Sequence, residues 1–430
     1  MSKLLVFCID ALCARDAEEM QKMRHFGPYM EKASRVASIE PVWPALTYCC
    51  HTSILTGCYV ARHGITHNEK LRRGGVFGEP WFRMKSDVKT PTLLDAARAH
   101  GLTACSLSWP VSGGADYEMN MPMIVPYHYT GWEPEKWLRG TATDNLMQRY
   151  FHKHGRHIKG PDRSLDLYTM ALALDILEDF EQPDVMLVKM CDLDSARHTY
   201  GVYNAHVSDQ LRKHDEEFGA IIETLRRKGT LDETNIVILG DHGQTDVEDV
   251  LLINVLLRQA GFIRTDADGK VESFDAIAHS TGLCAYIELS DPHDAALKAA
   301  VREYLGSLMH DGRIKLAYVM DADEALERFG VAGPFDFIIE STLPISFGER
   351  LDCESVWASK IPGDHKTGAA THGGSPSREE LTTFMAAGPD AATGVVVQRR
   401  SMVDEAPTMA KMLGFTMQGT DGKAIDEILR

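Results

Sequence analysis

The 430-residue sequence predicts an α/β fold: a central, mainly parallel sheet sandwiched by helices. Three observations predict it. Short apolar runs alternate with longer amphipathic stretches. Runs such as VMLVKM and NIVILG are apolar on both faces, as buried parallel strands are. Several runs end in aspartate or histidine, and open α/β sheets collect ligands beyond the carboxyl ends of their strands.

Taken in order, LLVFCID is the first strand and ends at Asp10. PTLLDAARAHG opens with Pro and closes on Gly, as helices do, and TACSLSW follows as a strand. Residues 113–163 are rich in Met, Tyr, Trp, Pro and His with little periodicity, and read as a loop-rich insertion near a pocket. SLDLYTMALALDILEDF and HVSDQLRKHDEEFGAIIETLRRKG have helical spacing and bracket the strand in DVMLVKMCDLD. NIVILGDHG, CAYIEL and FMAAGP are further strands. Residues 256–365, with Gly, Asp and Pro turns, read as a smaller α+β cap subdomain, leaving 1–255 and 366–430 as the core.

The formal net charge of −17 argues against a nucleic-acid polymer as partner, because counterion release needs a basic face. A small anionic substrate stays open, since bound cations reverse a local field. The opening MSKLLVFCIDALCARD is short and turns acidic, so it reads as a strand and not as a secretory signal. No run approaches a membrane span, and no membrane partner is expected. Nine irregularly spaced cysteines suit reduced thiols in the cytoplasm. Oligomeric state leaves no readable mark.

Three strand candidates lead into metal-type ligands, Asp10; Asp194 and His198, with Asp192 as an alternative to Asp194; and Asp241 and His242; a fourth, FMAAGP, is preceded by His372. Adjacent Asp241 and His242, directly after an apolar run, are costly unless satisfied. Three Asp and three His form a mixed oxygen and nitrogen set that suits zinc, with manganese or iron also accepted. Six ligands exceed one tetrahedral site and suit two divalent cations about 4 Å apart that clamp a phosphoryl group.

The pieces VFCIDAL, PALTYCCHTSILTGCYVARHGITHN, SLSWP, DLDSARHTYG, NIVILGDHG and ATHGG followed by FMAAGP occur in one order across residues 5–389. The ordered set resembles the nucleotide pyrophosphatase/phosphodiesterase branch of the alkaline phosphatase superfamily. The resemblance implies one metal site from Asp10, Thr47, Asp241 and His242, and a second from Asp194, His198 and His372. It makes Thr47 the nucleophile, forming a phosphothreonine intermediate. It gives Asn68 a hydrogen bond to a phosphate oxygen and Tyr48 a nucleobase to stack on; as a residue type, Tyr48 suits the core equally. Cys49 and Cys50 stand where the family has Pro-Asn, and read as packing residues. Ser53 and Thr56 read as part of the helix start. Trp109-Pro110 matches the family, but Val111 replaces its glycine, and Trp109 reads as pocket wall or core. His51, His63 and His67 take no ligand role; of tuning charge around phosphate and satisfying backbone carbonyls, the second is favoured.

The expected function is therefore metal-dependent cleavage of phosphodiester or pyrophosphate bonds in nucleotide-like substrates. Phosphomonoesterases of the superfamily add a cation near the phosphate. Arg62, Arg72 and Arg73 are close in sequence, but none plainly supplies it. A phosphonoacetate hydrolase is the alternative within the class, and would need lysines such as Lys70, Lys85 or Lys89 for the substrate carboxylate. A non-catalytic metal-binding protein is the alternative outside it.

Overall fold

Eight strands form the central sheet of the computed structural model, which describes residues 2–76, 80–123, 133–160, 163–312, 314, 316–342, 344–378 and 380–430. In chain order they are β1 (Lys3–Ile9), β2 (Ser34–Glu40), β3 (Ala104–Leu107), β4 (Met119–Met121), β5 (Val185–Met190), β6 (Thr234–Leu239), β7 (Thr382–Ala387) and β8 (Val396–Ser401). Their spatial order is β8-β2-β7-β6-β1-β5-β3-β4. All run in one direction except β7, which is antiparallel to both neighbours, β2 and β6. The sheet is thus mainly parallel, and FMAAGP supplies its single reversed strand.

The central strands are buried on both faces because helices cover each side. On one face α1 (Thr47–Thr56), α2 (Leu93–Ala99) and the helix Glu405–Met412 pack Cys50, Ile54, Leu93 and Met409 against Val6, Leu187 and Val237. On the other, α3 (Leu165–Asp179) and α5 (Ala205–Lys228) press Leu172, Ile176, Phe218 and Ile221 onto Phe7, Met186 and Ile238. The starts of α2, α3 and α5 carry side-chain caps: Thr92 accepts from the Asp95 N–H, Ser164 from Leu167, and Asn204 from Val207. Between β5 and α5 lies α4 (Asp192–Tyr200), so DLDSARH is helical and not the tail of a strand.

Register brings the ligand-bearing ends together. Ile9 pairs with Met190, and Cys8 pairs with Leu239. The Asp10 N–H donates to Met190 O at 2.9 Å, and the Ala11 N–H donates to Asp241 Oδ1 at 3.0 Å. Ala11 holds φ at 60°, a left-handed conformation unusual outside glycine.

Within 256–365, the strands Ala276–Ser280, Cys284–Leu289, Phe337–Ser341 and Leu316–Asp321 form a separate antiparallel sheet with the helix Ala295–Met309 against it. The strand Asp249–Leu252, before this region, pairs with Ile345–Gly348 and Trp357–Ala358 inside it. Cap and core meet through Tyr286, whose hydroxyl donates to Thr66 O at 2.9 Å, and Trp43, whose indole N–H reaches Cys284 Sγ at 3.2 Å.

The expected insertion 113–163 is more ordered than a loop over its described part. It contributes edge strand β4, the helix Pro134–Leu138 and short helical turns through Ile158. Its residues 124–132 and 161–162 lie outside the described residues. No helix of the described residues is long and apolar enough to cross a membrane.

Candidate active site

Thr47 is the first residue of α1, buried but for 7% of its surface. The positive end of the helix dipole therefore lies at its hydroxyl. Thr47 Oγ1 is 3.2 Å from His242 Nε2. Around that contact, Asp10, Asp241 and His242 each bring a ligand atom within 4.8 Å of one another, as do Asp194, His242 and His372. His242 thus stands between both groups, although the resemblance gives it to the first alone. Its ring stacks on that of His372, with centroids 3.8 Å apart. His198, one turn after Asp194 on α4, joins through a 3.3 Å contact to Asp194 Oδ1. Asp192 takes another part: its Oδ2 accepts the Ser164 hydroxyl at 3.1 Å.

All three imidazoles are oriented alike. Nδ1 of His198, His242 and His372 contacts the backbone carbonyls of Ala370, Gly243 and Ala45 at 2.8, 3.0 and 2.7 Å. That bond places the proton on Nδ1 and leaves the Nε2 lone pair for a ligand. His372 arrives on the short strand Ala370–Thr371, paired with Thr245–Asp246. Next to it Gly373 adopts φ 91°, and a Cβ there would meet Thr281 O at 1.8 Å. Only glycine fits that turn.

The buried atoms Asp10 Oδ1, Asp241 Oδ2 and His198 Nε2 have no hydrogen-bond partner among the described residues. Buried polar atoms left this way are expensive unless a ligand meets them. Burial and the Asp241 charge push the Asp10 carboxyl up, against the pull of Lys189. Burial also opposes ionisation of Asp241 and Asp194. Neighbouring imidazoles outweigh it, led by His242 for the first and His198 for the second, and both carboxyls lie below the usual range. Carboxylate oxygens beside imidazole nitrogens are a mixed donor set that fits divalent cations.

Asp10, Thr47, Asp194, His198 and His372 line a cavity of about 350 Å³. Asn68 lines it, with Oδ1 accepting the Tyr48 N–H at 3.0 Å. Tyr48 is fully buried in the wall, edge-on to Trp81, with Met123, Leu165 and Ile158 further along.

The family model for type I phosphodiesterase/nucleotide pyrophosphatase matches residues 4–330. The chain belongs to this family. Among curated relatives, ectonucleotide pyrophosphatase/phosphodiesterase family member 3 of Bos taurus is 26% identical over 213 residues, which are 48% of this chain and 20% of that protein. The bis(5'-adenosyl)-triphosphatase of Xenopus laevis is 23% identical over 317 residues, 72% of this chain and 61% of that protein. The chain thus spans less than two thirds of the length of these relatives. Among solved structures, murine ectonucleotide pyrophosphatase/phosphodiesterase 5 superposes with a TM-score of 0.69 at 15% identity, each chain covered in full. An inactive variant of that murine protein, solved in complex with AMP, gives 0.67 at 15% identity, again with both chains fully covered. These likenesses establish the alkaline phosphatase-like fold.

Some residues of this phosphodiesterase-family chain differ from expectation and others match it. Ser53 and Thr56 lie in the second half of α1, not at its start: Ser53 contacts His63 Nε2 at 2.9 Å, and Thr56 donates to Thr52 O. Val111 keeps the left-handed backbone, φ 54°, that the family's glycine would favour. Cys49, Cys50 and Trp109 are core residues. His51 and His67 contact the carbonyls of Thr47 and Ser280, at 2.8 and 3.1 Å, as expected of them. His63 departs from that expectation: its Nδ1 accepts the Ile65 N–H at 3.1 Å and its Nε2 meets the Ser53 hydroxyl. His51 also lies 3.2 Å from Asp241 Oδ2, tying the Thr47 backbone to a carboxylate of the cluster.

Three contributors escaped the sequence reading. Lys189, fully buried in β5, places Nζ 2.5 Å from Asp10 Oδ2. Gln244 donates from Nε2 to Asp194 Oδ1 at 2.6 Å. Arg163 lines the cavity, the only lysine or arginine among the described residues that does. A lone lysine inside an apolar run was the legible signal for the first; Gln244 and Arg163 carried none. Arg62, Arg73, Lys70 and Lys85 pair elsewhere, with Asp421, Asp336, Asp87 and Asp95.

Proposed function

We propose that this protein hydrolyses phosphodiester or pyrophosphate bonds of nucleotide-like substrates through a phosphothreonine intermediate on Thr47. The observation that carries the reading is the placing of Thr47 Oγ1 at a helix N-terminus, within 3.2 Å of an imidazole shared by two candidate cation sites. Asp10, Asp241 and His242 would hold one cation with Thr47; Asp194, His198 and His372 would hold the other. Zinc is the favoured ion and manganese the alternative. Bound cations supply Lewis acidity and positive charge for the attacking and leaving oxygens.

The chain's own residues do the rest. Thr47 Oγ1 bonds to phosphorus as the bond to the leaving oxygen breaks, and water later cleaves the Thr47 ester. Asn68, fixed through Oδ1, donates from Nδ2 to a non-bridging oxygen whose charge grows in the transition state. Tyr48, Trp81 and Met123 give the cavity an apolar wall suited to a base. The AMP bound to the murine relative, and the name of the Xenopus laevis relative, support a nucleotide substrate.

Phosphonoacetate is disfavoured because Lys70 and Lys85 are engaged by Asp87 and Asp95, and neither they nor Lys89 line the cavity. The nine cysteines, all free thiols, support the cytoplasmic placement. Turnover of p-nitrophenyl TMP, p-nitrophenyl phosphate and phosphonoacetate by wild type and Thr47→Ala tests the reading. The diester should be cleaved fastest, and Thr47→Ala should lose turnover while keeping its metal. Preference for phosphonoacetate, or an active Thr47→Ala, contradicts it.

A further inference from the structure

The two carboxylate arms of the candidate site are supported by different chemistry. Gln244, uncharged, holds Asp194. A full positive charge holds Asp10: Lys189 Nζ lies 2.5 Å from Asp10 Oδ2, 3.0 Å from Cys191 Sγ and 3.4 Å from Met123 Sδ. Cys191 and Met123 line the cavity, so the ammonium sits just under its floor. Asp10 Oδ1 is left without a hydrogen-bond partner among the described residues and faces His242 Nε2 at 3.4 Å.

We propose that Lys189 is a positioning residue and a built-in counter-cation: it occupies Asp10 Oδ2, presents Oδ1 alone to the metal, and weakens that metal's hold. The inference rests on the reading that Asp10 and Asp241 take a divalent cation. Two effects of opposite sign follow. In the metal-free protein the ammonium compensates two buried carboxylates that would otherwise be strongly destabilising. In the loaded protein the same charge repels the cation, so affinity on the Asp10 side is lower than its donors alone would give. A lysine with only a structural role produces the first effect and not the second.

The test uses the full chain, with Zn²⁺ or Mn²⁺ alone titrated at pH 8 against a competing chromophoric chelator. Lys189→Met removes charge and hydrogen bond together. Lys189→Gln removes the charge and keeps a donor, and serves where the first variant does not fold without metal. For both variants the metal-free Tm should fall, while one of the two cations binds about tenfold tighter or more. Wild type that takes up two cations, with neither variant binding either one more tightly, overturns the inference and leaves the proposed function standing. Wild type that takes up no cation overturns both.

Discussion

Asn68 Oδ1 accepts the backbone N–H of Tyr48 at 3.0 Å, so the end of the amide left for the cavity is the donor, Nδ2. The residue beside Thr47 thereby fixes the polarity of the group that would meet phosphate. Asn68→Ala should lower kcat by about 100- to 1,000-fold, the cost of losing one preorganised oxyanion donor. Asn68→Asp can still accept from Tyr48 but offers an acceptor where a donor is needed. It should fold normally and be at least as impaired. Steady-state kinetics beside thermal melts check both; an active Asn68→Asp would remove the assigned role.

Gln244 acts on the other arm. Its Nε2 holds Asp194 Oδ1 at 2.6 Å. Gln244→Leu leaves that carboxylate free to rotate and should weaken one cation by about 10- to 100-fold, as losing a supporting hydrogen bond does. Chelator competition reads this directly. The sign is opposite to that expected for Lys189→Met, so the pair tests whether the two arms are independent.

Metal removal should destabilise the chain, since Asp10 and Asp241 are buried together and His242 links them to Asp194. Two sites each filled at a hundredfold excess over Kd contribute roughly 5 kcal/mol. Melts with and without EDTA should differ by several degrees, and the difference should be recovered on adding Zn²⁺. Coincident melts would contradict occupied sites.

The pH dependence follows from two buried histidines. Burial lowers the pKa of His63 and of His67 to about 3, while in the unfolded chain both take up protons near 6.5. The stability they support is present above pH 6.5 and is lost as pH falls toward 3. His51 and His365 shift in the same direction. His198 and His214 shift upward and offset part of the loss. Urea unfolding at pH 5 should give a stability lower than at pH 7.5 by roughly 2–4 kcal/mol. A flat profile would show that these imidazoles gain protons without unfolding.

What was legible in the sequence is what burial dictates locally. LLVFCI and TNIVIL could be read as central strands because both of their faces are apolar, and their abrupt endings marked Asp10 and Asp241. β2, with the sequence SRVASIE, was missed because its small and polar residues fit no single period. β8 was missed because it is a half-exposed edge strand carrying Arg399 and Arg400, charges that discourage further pairing. The reversed direction of β7 depends on its neighbours and has no local signature. Asp194 and His198 were placed at a strand end, although their spacing of four already matched one helical turn. Lys189 was absorbed into an apolar run, because nothing local says that an acid from another strand will meet it.

The central claim is that the Thr47 hydroxyl itself attacks phosphorus, and trapping the intermediate tests it most directly. Enzyme loaded with Zn²⁺, mixed with p-nitrophenyl TMP and quenched in acid, should yield a peptide carrying thymidine monophosphate on Thr47 by mass spectrometry, absent from Thr47→Ala. Turnover without any adduct on Thr47, together with an active Thr47→Ala, would mean that water attacks directly and that the hydroxyl beside His242 is not the nucleophile.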